Sequence, residues 1–261
     1  MVCVGTCALC VLVGAAAGCV TCGCAVRNIE WGSGVCVCVC VCMCVYVCVR
    51  VGACVWRKCC TTAAADSLYR LRGPTGGWIE RPFTPVTVAP SDKRLHLLIK
   101  LYPSGSMSRA LAALSVGARV SVRGPQRRFV YTRNAYRAVG ALCAGSGVTP
   151  VYQFVRAVCS DADDVTDVRV VYSNRSAHDV MLGAELQACV PRVHLTHVFS
   201  QPTAAPDSPS TAAGAPAPAP WTGLCGRITK DMLASLLPPP AHDVRVLICG
   251  PPGYVSTALQ I

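Results

Sequence analysis

In the second half of the chain, short apolar runs alternate with segments whose apolar residues have helical spacing. Residues 138–158 predict a strand, a glycine turn and a helix opened by Thr149 and Pro150. Threonine before a helix and proline at its first position are good start signals. Further strands are predicted at 167–174, at 192–200 and, as a buried strand, at 244–252, with further helices at 177–190 and 229–238. This alternation predicts a doubly wound α/β domain with a parallel sheet.

The preceding part of the chain has a different pattern. Residues 94–102 alternate and predict a strand, 108–117 predict a short helix closed by Gly117, and 118–125 predict a strand that ends at Gly-Pro. This stretch is rich in strands and is therefore expected to form a second type of domain. Residues 201–220 are rich in proline, alanine and serine and are predicted to be a disordered loop.

Residues 1–60 differ in composition from the rest, since they hold 15 of the 20 cysteines. Residues 35–49 alternate with a period of two, so their thiols would share one face of a strand. The segment at 19–24 contains one CxxC, which we interpret as a chance match, but no CxxC pairs are separated by the loop that a zinc site needs and nearby histidines are absent, so we expect no metal there. A thiol-rich metal-binding segment stays open as an alternative. We interpret residues 35–49 as low-complexity sequence without a selected structure.

The first 26 residues carry no charge. A membrane-spanning helix needs about 20 apolar residues, so residues 1–26 are a candidate membrane anchor. A misassigned start of the chain is the alternative. No basic region precedes the apolar run, so a cleaved signal peptide fits poorly.

The formal net charge of +11 indicates a preference for acidic partners such as nucleic acid, anionic lipid or an acidic protein. No run of lysine and arginine is interleaved with aromatic residues, which argues against nucleic acid. The five histidines are scattered along the chain, so neither a Ser–His–acid arrangement nor a histidine metal site is indicated.

Several short motifs follow one another along the strand-rich part and the α/β part. They are RPFTPV at 81–86, IKLY at 99–102, GSMS at 105–108, GSGVTP at 145–150 and CGPP at 249–252. Two of them follow predicted strands, where an open α/β sheet binds its ligands, and a glycine turn before a helix suits a phosphate. Each motif alone also fits an ordinary turn, but their ordered succession is more specific.

This succession resembles the NADH–cytochrome b5 reductases, within the ferredoxin–NADP reductase-like flavoenzymes, over about residues 77–256. The segments that match between the motifs are RGP at 123–125, RRFVY at 127–131 and GRITKDML at 226–233. The resemblance implies a partial antiparallel β-barrel that binds FAD at 61–134 and a nicotinamide-nucleotide-binding α/β domain at 135–261. Both follow the apolar Cys/Val-rich segment at 1–60.

The function that the resemblance implies is a flavin-dependent oxidoreductase. Hydride would pass from NADH to FAD, and single electrons would then pass to a haem protein such as cytochrome b5. The family also implies membrane association at the endoplasmic reticulum or the mitochondrial outer membrane, with the catalytic part facing the cytosol.

The resemblance assigns roles at the flavin. Arg81 would pair with the FAD pyrophosphate, Thr84 would hydrogen-bond near flavin N5, and the GSMS turn with Ser108 would hold the pyrophosphate. Phe83 stands where the family usually has tyrosine, so it can pack on the flavin but has no hydroxyl to donate. The implied FAD-binding residues are Arg81, Pro82, Phe83, Thr84, Ile99, Tyr102, Gly105, Met107, Ser108 and Thr149.

The resemblance also assigns roles at the nicotinamide nucleotide. Lys100 matches a nucleotide-binding lysine, Cys249 and Gly250 would border the nicotinamide, and Thr84 and Cys249 are the implied catalytic residues. NADH is expected from the resemblance alone, and Ser200 stands where an acidic residue often disfavours the 2′-phosphate of NADPH. The implied NAD-binding residues are Lys100, Gly145, Gly147, Thr149, Pro150, Cys249, Gly250 and Pro251.

The flavin domain of the family is a six-stranded barrel, and residues 61–80 leave room for about one strand before the RPFTPV motif. The alternative function is therefore a non-catalytic or vestigial membrane-associated nucleotide-binding protein with an incomplete flavin site. Basic residues could steer an acidic cytochrome or form an ordinary solvated face. The candidates are Arg127, Arg128, Arg133 and Arg137.

Overall fold

The computed structural model describes residues 44–50, 67–72, 80–86, 94–102, 104–114, 121–127, 131–202 and 221–261. The chain divides into two compact units, Met1–Tyr131 and Thr132–Ile261. The candidate membrane anchor at 1–26 and residues 203–220 of the predicted loop lie outside the described residues. No helix in the described ranges is long and apolar enough to cross a bilayer.

The described part of the first unit consists of antiparallel strands and a short helix. Its elements are β1 (Cys44–Arg50), β2 (Ser67–Arg72), β3 (Glu80–Phe83), β4 (Arg94–Lys100), α1 (Ser106–Ala112) and β5 (Ser121–Arg127). β4 pairs with β1, and β2 lies between β3 and β5. Beyond β3, Pro85 pairs with Leu97, and the Val86 N–H donates to the His96 carbonyl at 2.7 Å. The segment at 80–86 therefore pairs first with β2 and then with β4, which links the two sheets.

Part of the cysteine–valine repeat forms β1, which pairs with β4 along its whole length from Cys44–Lys100 to Arg50–Arg94. The interpretation of residues 35–49 as sequence without structure is therefore wrong for this stretch. Alternating residues of high strand propensity are a suitable antiparallel partner for a strand whose residues Leu97 to Ile99 are buried. Residues 61–80 were expected to hold about one strand before the RPFTPV motif, and β2 (Ser67–Arg72) is that strand.

β5 continues through Gly124 and Pro125 to Arg127, so the prediction that Gly-Pro ends this strand is wrong. Leu68 of β2 pairs with Gln126, and Arg70 of β2 pairs with Arg123. One residue of β2 therefore lies opposite two residues of β5, Gly124 and Pro125, which form a bulge. Glycine and proline are tolerated at a bulge because ladder hydrogen bonds are missing there.

The second unit contains a parallel sheet, as predicted. Its strands are β6 (Ala138–Ala144), β7 (Asp167–Asn174), β8 (Val193–Phe199), β9 (Leu224–Cys225) and β10 (Val244–Cys249), in the order β10-β6-β7-β8-β9. All neighbouring pairs are parallel. The helices are α2 (Val148–Cys159), α3 (Gly183–Gln187), α4 (Lys230–Leu236) and α5 (Pro252–Gln260). Successive strands proceed from β6 to one side, and β10 then returns to the other side, which creates a topological switch point at β6.

The core of this unit lies around its central strands. On one face the buried side chains of Leu142, Val171 and Val198 pack with Ile228 and Leu233. Each fully buried side chain of this size contributes about 1.5–3 kcal/mol relative to exposure. The second face is covered by α2, whose buried residues include Val148, Val151, Phe154, Val155 and Val158.

Three predicted elements of the second unit differ in the structure. The helix predicted to open at Thr149 and Pro150 begins at Val148, because Gly147 takes the cap position. The helix predicted at 177–190 is a short 3-10 turn and then α3, since Leu182 adopts a left-handed conformation with φ of 57° that interrupts it. The strand predicted as buried up to residue 252 ends at Cys249 and lies at the sheet edge, where Val246 is 44% exposed.

Candidate functional site

The turn after β6 is a tight glycine turn that leads into a helix. The chain leaves β6 through Gly145, whose φ of +52° is in the left-handed region that favours glycine. The 3-10 turn Gly145–Gly147 leads directly into α2. The N–H groups that follow the 3-10 turn donate to the Gly145 and Ser146 carbonyls, and Pro150 has no N–H, so the first turn of α2 has few N–H groups left for an anion.

The turn after β10 contacts the turn after β6. A Cβ on Gly147 would lie 2.3 Å from the Cys249 carbonyl oxygen and 2.8 Å from the Gly250 nitrogen. A Cβ on Gly250 would in turn lie 3.1 Å from the Ala144 Cβ and 3.0 Å from Cδ1 of Tyr254. The two glycine motifs found in the sequence therefore meet at the switch point of the sheet, where open α/β sheets bind ligands.

The remaining predicted residues of this set lie close by in the chain. Thr149 is buried in the first turn of α2, and its hydroxyl donates to the Ser146 carbonyl at 3.2 Å. Pro150 is half-buried next to it, and Pro251 is exposed immediately before α5. The structure thus brings together Gly145, Gly147, Thr149, Pro150, Cys249, Gly250 and Pro251.

A buried tyrosine that the motifs did not reveal supports the first turn. The hydroxyl of Tyr172 on β7 donates to the Gly145 carbonyl at 3.3 Å and accepts from the Met181 N–H at 3.1 Å. These bonds tie the turn to the segment before α3. Tyrosine in an apolar strand signals a hydroxyl that needs a partner, but sequence alone does not identify that partner.

A second tyrosine, Tyr254, packs against the turn after β10. The side chain of Tyr254 on α5 covers Gly250, and its hydroxyl accepts from the Ser173 hydroxyl at 3.3 Å. Burial raises the pKa of Tyr254 to about 12, so its phenol stays protonated at neutral pH. The helix after the CGPP motif is thereby fixed to the carboxyl end of β7.

Cys249 is paired in register with Cys143 of β6, and both are in the thiol form at neutral pH. Burial raises the pKa of Cys143 well above its usual range, and the neighbouring Cys249 raises it further. Burial also raises the pKa of Cys249. Because the thiolate is the nucleophile, a raised pKa favours a packing role for Cys249 over covalent catalysis.

In the first unit, the RPFTPV motif occupies β3 and its continuation towards β4. Arg81 and Pro82 are exposed, Phe83 and Thr84 are half-buried, and Pro85 is buried. The change of pairing partner after Phe83 means that Thr84 lies between the contacts with β2 and those with β4. Its hydroxyl is thus held on a segment fixed at both ends.

The GSMS motif forms the start of α1 and a tight polar turn. The Ser108 hydroxyl donates to the Gly105 carbonyl at 3.1 Å and accepts from the Tyr102 N–H at 3.3 Å. A Cβ on Gly105 would lie 2.5 Å from the Ser108 oxygen, so glycine is required for this approach. No side chain caps α1, so its first N–H groups are left for another acceptor. Met107 is buried beneath this turn.

The IKLY motif contributes one buried residue and two residues that are accessible to solvent. Ile99 is buried in β4, whereas Lys100, the last residue of β4, is half-buried and Tyr102 is 45% exposed. Most of the predicted FAD-binding residues belong to the first unit, with Thr149 in the second. Lys100 is the predicted NAD-binding residue that belongs to the first unit.

Two of the arginines considered for electrostatic steering are engaged in ion pairs. Arg133 pairs with Asp161 at 2.7 Å and with Asp163 at 3.1 Å, and Arg137 pairs with Asp243 at 3.0 Å. Their charges are offset by adjacent carboxylates, which favours the interpretation of an ordinary solvated face for these two.

Comparisons with known proteins agree with this division. Residues 64–131 match the oxidoreductase FAD-binding domain, and residues 141–260 match the oxidoreductase NAD-binding domain. NADH-cytochrome b5 reductase 1 of Pyricularia oryzae is 37% identical over 185 residues, which are 68% of this chain and 54% of that protein. NADH--cytochrome b5 reductase 1 of Arabidopsis thaliana is 34% identical over 176 residues, 66% of this chain and 57% of that protein. The chain thus spans a little over half the length of these curated relatives.

Among solved structures, the cytochrome b5 reductase domain of Ulva prolifera nitrate reductase has the same fold. The TM-score is 0.71 at 20% identity, and the match covers 97% of this chain and 90% of that chain. The structure of the CS-b5R domains of human Ncb5or matches with a TM-score of 0.60 at 23% identity, over 76% of this chain and 56% of that chain.

The fold is that of a two-domain ferredoxin reductase-like flavoprotein, with an FAD-binding domain followed by an NAD-binding domain. Within that class, the chain belongs to the NADH–cytochrome b5 reductase family.

Proposed function

We propose that this chain is a flavin-dependent oxidoreductase that takes hydride from a reduced nicotinamide nucleotide and passes single electrons to a haem protein such as cytochrome b5. The observation that carries the proposal is the contact between Gly147 and the Cys249–Gly250 peptide. It supports a dinucleotide site of two glycine turns at the switch point of the sheet. A side chain at residue 147 would collide with the Cys249–Gly250 peptide, so the two turns can approach this closely only with glycine there.

The residues present fit FAD. The turn at Gly105 has no room for a side chain, and its helix start lacks a side-chain cap, so backbone N–H groups remain for a pyrophosphate. Arg81 is exposed on β3 and offers the planar guanidinium that pairs with phosphate oxygens. Ser108 would act through the turn that it holds, because its hydroxyl is already bonded to the Gly105 carbonyl and the Tyr102 N–H.

The residues present also fit a nicotinamide nucleotide. Nothing lies within 4 Å of the Cβ position of Gly145, so the space above this turn is open, whereas Gly147 allows the closest backbone approach. Thr149 is fixed in the first turn of α2 next to this opening, with its hydroxyl bonded to the Ser146 carbonyl. Lys100 is the proposed nucleotide-binding residue of the first unit.

FAD, when bound, supplies the chemistry that converts a two-electron hydride into single electrons. The chain supplies binding and orientation. The Thr84 hydroxyl is held on a segment paired on both sides and is proposed to hydrogen-bond at flavin N5. Cys249, kept neutral by burial, is proposed to pack against the nicotinamide without adding a charge near the transferred hydride.

The proposed function includes an electron acceptor and a location in the cell. The names of the relatives state cytochrome b5, and we propose an acceptor of that type for this chain. Membrane association through the uncharged residues 1–26 is proposed from their composition, and its location at the endoplasmic reticulum or the mitochondrial outer membrane is proposed from the family resemblance alone.

The test uses the full chain, because β1 lies within the Cys-rich segment and pairs with β4. Purified protein is incubated with FAD, freed of unbound flavin, and assayed for reduction of ferricyanide by NADH or NADPH. Bound flavin with nucleotide-dependent reduction is the expected result. Protein that binds nucleotide but retains no flavin would instead support the non-catalytic nucleotide-binding alternative.

A further inference from the structure

Two cysteines of the second unit that belong to none of the motifs have their thiols in contact. Cys159 is the last residue of α2, and Cys189 lies just after α3. The Cys189 thiol donates to the Glu185 carbonyl at 3.5 Å, which leaves its sulfur as an acceptor. The Cys159 side chain forms a hydrogen bond with it. We call Cys159 and Cys189 the thiol pair.

The contact is built into the packing of α2 against the segment after α3. Tyr152 and Cys159 are about two helical turns apart and therefore lie on one side of α2. Cys189 is a close neighbour of both. The backbone of Cys189 is fixed as well, since its N–H donates to the Leu186 carbonyl at 3.0 Å and its carbonyl accepts from the Val193 N–H at 3.1 Å. Both thiols are thus held by hydrogen-bonded backbone.

The two thiols differ in their access to solvent. Cys159 is half-buried, whereas Cys189 is only 6% exposed. A dissolved reagent therefore reaches Cys159 first, and the buried thiol reacts with whatever is attached to Cys159. This is the arrangement of an attacking and a resolving cysteine.

The groups around the pair keep it in the thiol form at neutral pH. Burial and the hydrogen bond with Cys189 raise the pKa of Cys159 to about 12, although the neighbouring Arg192 and Arg156 act in the opposite direction. The titratable groups near the pair are Tyr152 and Arg156 on α2, Glu185 on α3 and Arg192 before β8. Since the thiolate is the reactive form, oxidation of the pair is expected to be slow at neutral pH and faster in alkali.

We propose that the thiol pair is a reversible disulfide site, which is closed by a low-molecular-weight organic disulfide. The Cys159 sulfur, as thiolate, attacks one sulfur of that reagent, so that a mixed disulfide forms and one thiol leaves. The Cys189 sulfur then attacks the Cys159 sulfur and releases the second thiol. The pair loses two electrons and two protons, which the organic disulfide gains. The inference is independent of the proposed function, because neither step involves flavin or nucleotide.

The disulfide would link two elements that support the first glycine turn. α2 begins directly after Gly147. The Met181 N–H, before α3, donates to the Tyr172 hydroxyl, which donates to the Gly145 carbonyl. Closing this loop restricts the unfolded chain, so the melting temperature of the oxidised protein should rise by on the order of 5 °C or more.

Peptide mapping of the folded full chain tests the proposal directly. The protein is reduced, incubated with oxidised glutathione, alkylated and digested with trypsin without reductant. Trypsin cuts after arginine, which places Cys159 in the peptide 157–169 and Cys189 in the peptide 176–192, each with no other cysteine. We expect these peptides to be joined, to separate on addition of dithiothreitol, and to join faster at alkaline than at neutral pH. Free thiols or separate glutathione adducts at both positions, at both pH values, would overturn the inference.

A variant separates this disulfide from any that the other cysteines form. Cys159→Ser should abolish the rise in melting temperature on oxidation. Cys225→Ser is the matched control, because it removes an exposed thiol of β9, and it should retain both the joined peptides and the rise. A rise that persists in Cys159→Ser would assign the stabilisation to other cysteines and contradict the role given to the thiol pair.

Discussion

Gly147 and Cys249 are in backbone contact across two turns that are about one hundred residues apart in the chain, with a Cβ position on Gly147 only 2.3 Å from the Cys249 carbonyl oxygen. Real Cβ atoms do not approach a carbonyl so closely, so the contact exists only because residue 147 is glycine. The relationship joins the two motifs that the sequence presents separately, and it makes the turn after β10 part of the same site as the turn after β6.

Gly147→Ala is expected to disrupt this site. The added methyl group must displace the Cys249–Gly250 peptide, and overpacking of this kind costs about 1–3 kcal/mol of stability. Nucleotide affinity should fall as the turns separate, measured by calorimetry with NADH and NADPH. Gly253→Ala is the matched control, because nothing lies within 4 Å of its Cβ position. Similar nucleotide affinities for the two variants would argue against the contact.

Arg81→Ala is expected to weaken FAD binding without unfolding the protein. Arg81 is exposed, and loss of a charge-assisted hydrogen bond to a pyrophosphate costs about 1.5–3 kcal/mol, or roughly tenfold or more in affinity. The measurement is the flavin dissociation constant from fluorescence quenching on binding. Arg133→Ala, which removes a surface arginine paired with Asp161 and Asp163, should leave FAD affinity unchanged. An Arg81→Ala protein with undiminished FAD affinity would exclude the assigned role.

Removal of residues 1–50 is expected to destabilise the first unit more than removal of residues 1–43 does. The longer deletion removes β1 and leaves the buried strand β4 with an unpaired edge, which promotes aggregation. The shorter deletion retains β1 and serves as the control. Thermal unfolding and light scattering measure the difference. Equal stability of the two truncated proteins would mean that β1 contributes nothing to the fold.

Stability is expected to decrease above about pH 9.0, the usual pKa of a thiol, because of the buried cysteines. Burial raises the pKa of Cys143 and Cys249 in the folded state, so above pH 9.0 the unfolded chain has released protons that the folded chain still holds. The unfolded state then binds fewer protons, and the free energy of unfolding falls as pH rises.

Thermal unfolding across this pH range tests the effect. Cys143→Ala should lessen the decrease in melting temperature, whereas Cys225→Ala, which removes an exposed thiol, should leave it unchanged. A melting temperature that stays constant from neutral to alkaline pH in the parent protein would contradict the assignment.

The central strands of the second unit were predictable because their patterns are unambiguous. Residues 138–144 are apolar throughout, and residues 167–174 were predicted with the bounds that β7 has. The edge position of β10 was not predictable, since its apolar residues look the same whether or not a neighbour covers them. The break in the helix at 177–190 depends on the left-handed conformation of Leu182, which no local residue type signals.

The pairing of β1 was hidden by the regularity of its sequence. An alternating cysteine–valine repeat fits many registers equally well, and the partner strand alone selects the one observed between Cys44–Arg50 and β4. The glycine motifs gave the residues of two turns that meet in the structure, but Tyr172 and Tyr254, which fix those turns, come from β7 and α5 and carry no motif. Their hydroxyl partners are set by tertiary structure.

Anaerobic titration of the flavin-reconstituted full chain with reduced nicotinamide nucleotide is the decisive measurement of flavin-dependent electron transfer. Flavin is expected to stay bound after gel filtration, and its visible absorbance should bleach when NADPH or NADH is added, with the colour returning on addition of ferricyanide. A correctly folded chain that emerges without flavin, or a bound flavin that neither nucleotide bleaches, would contradict the proposed function.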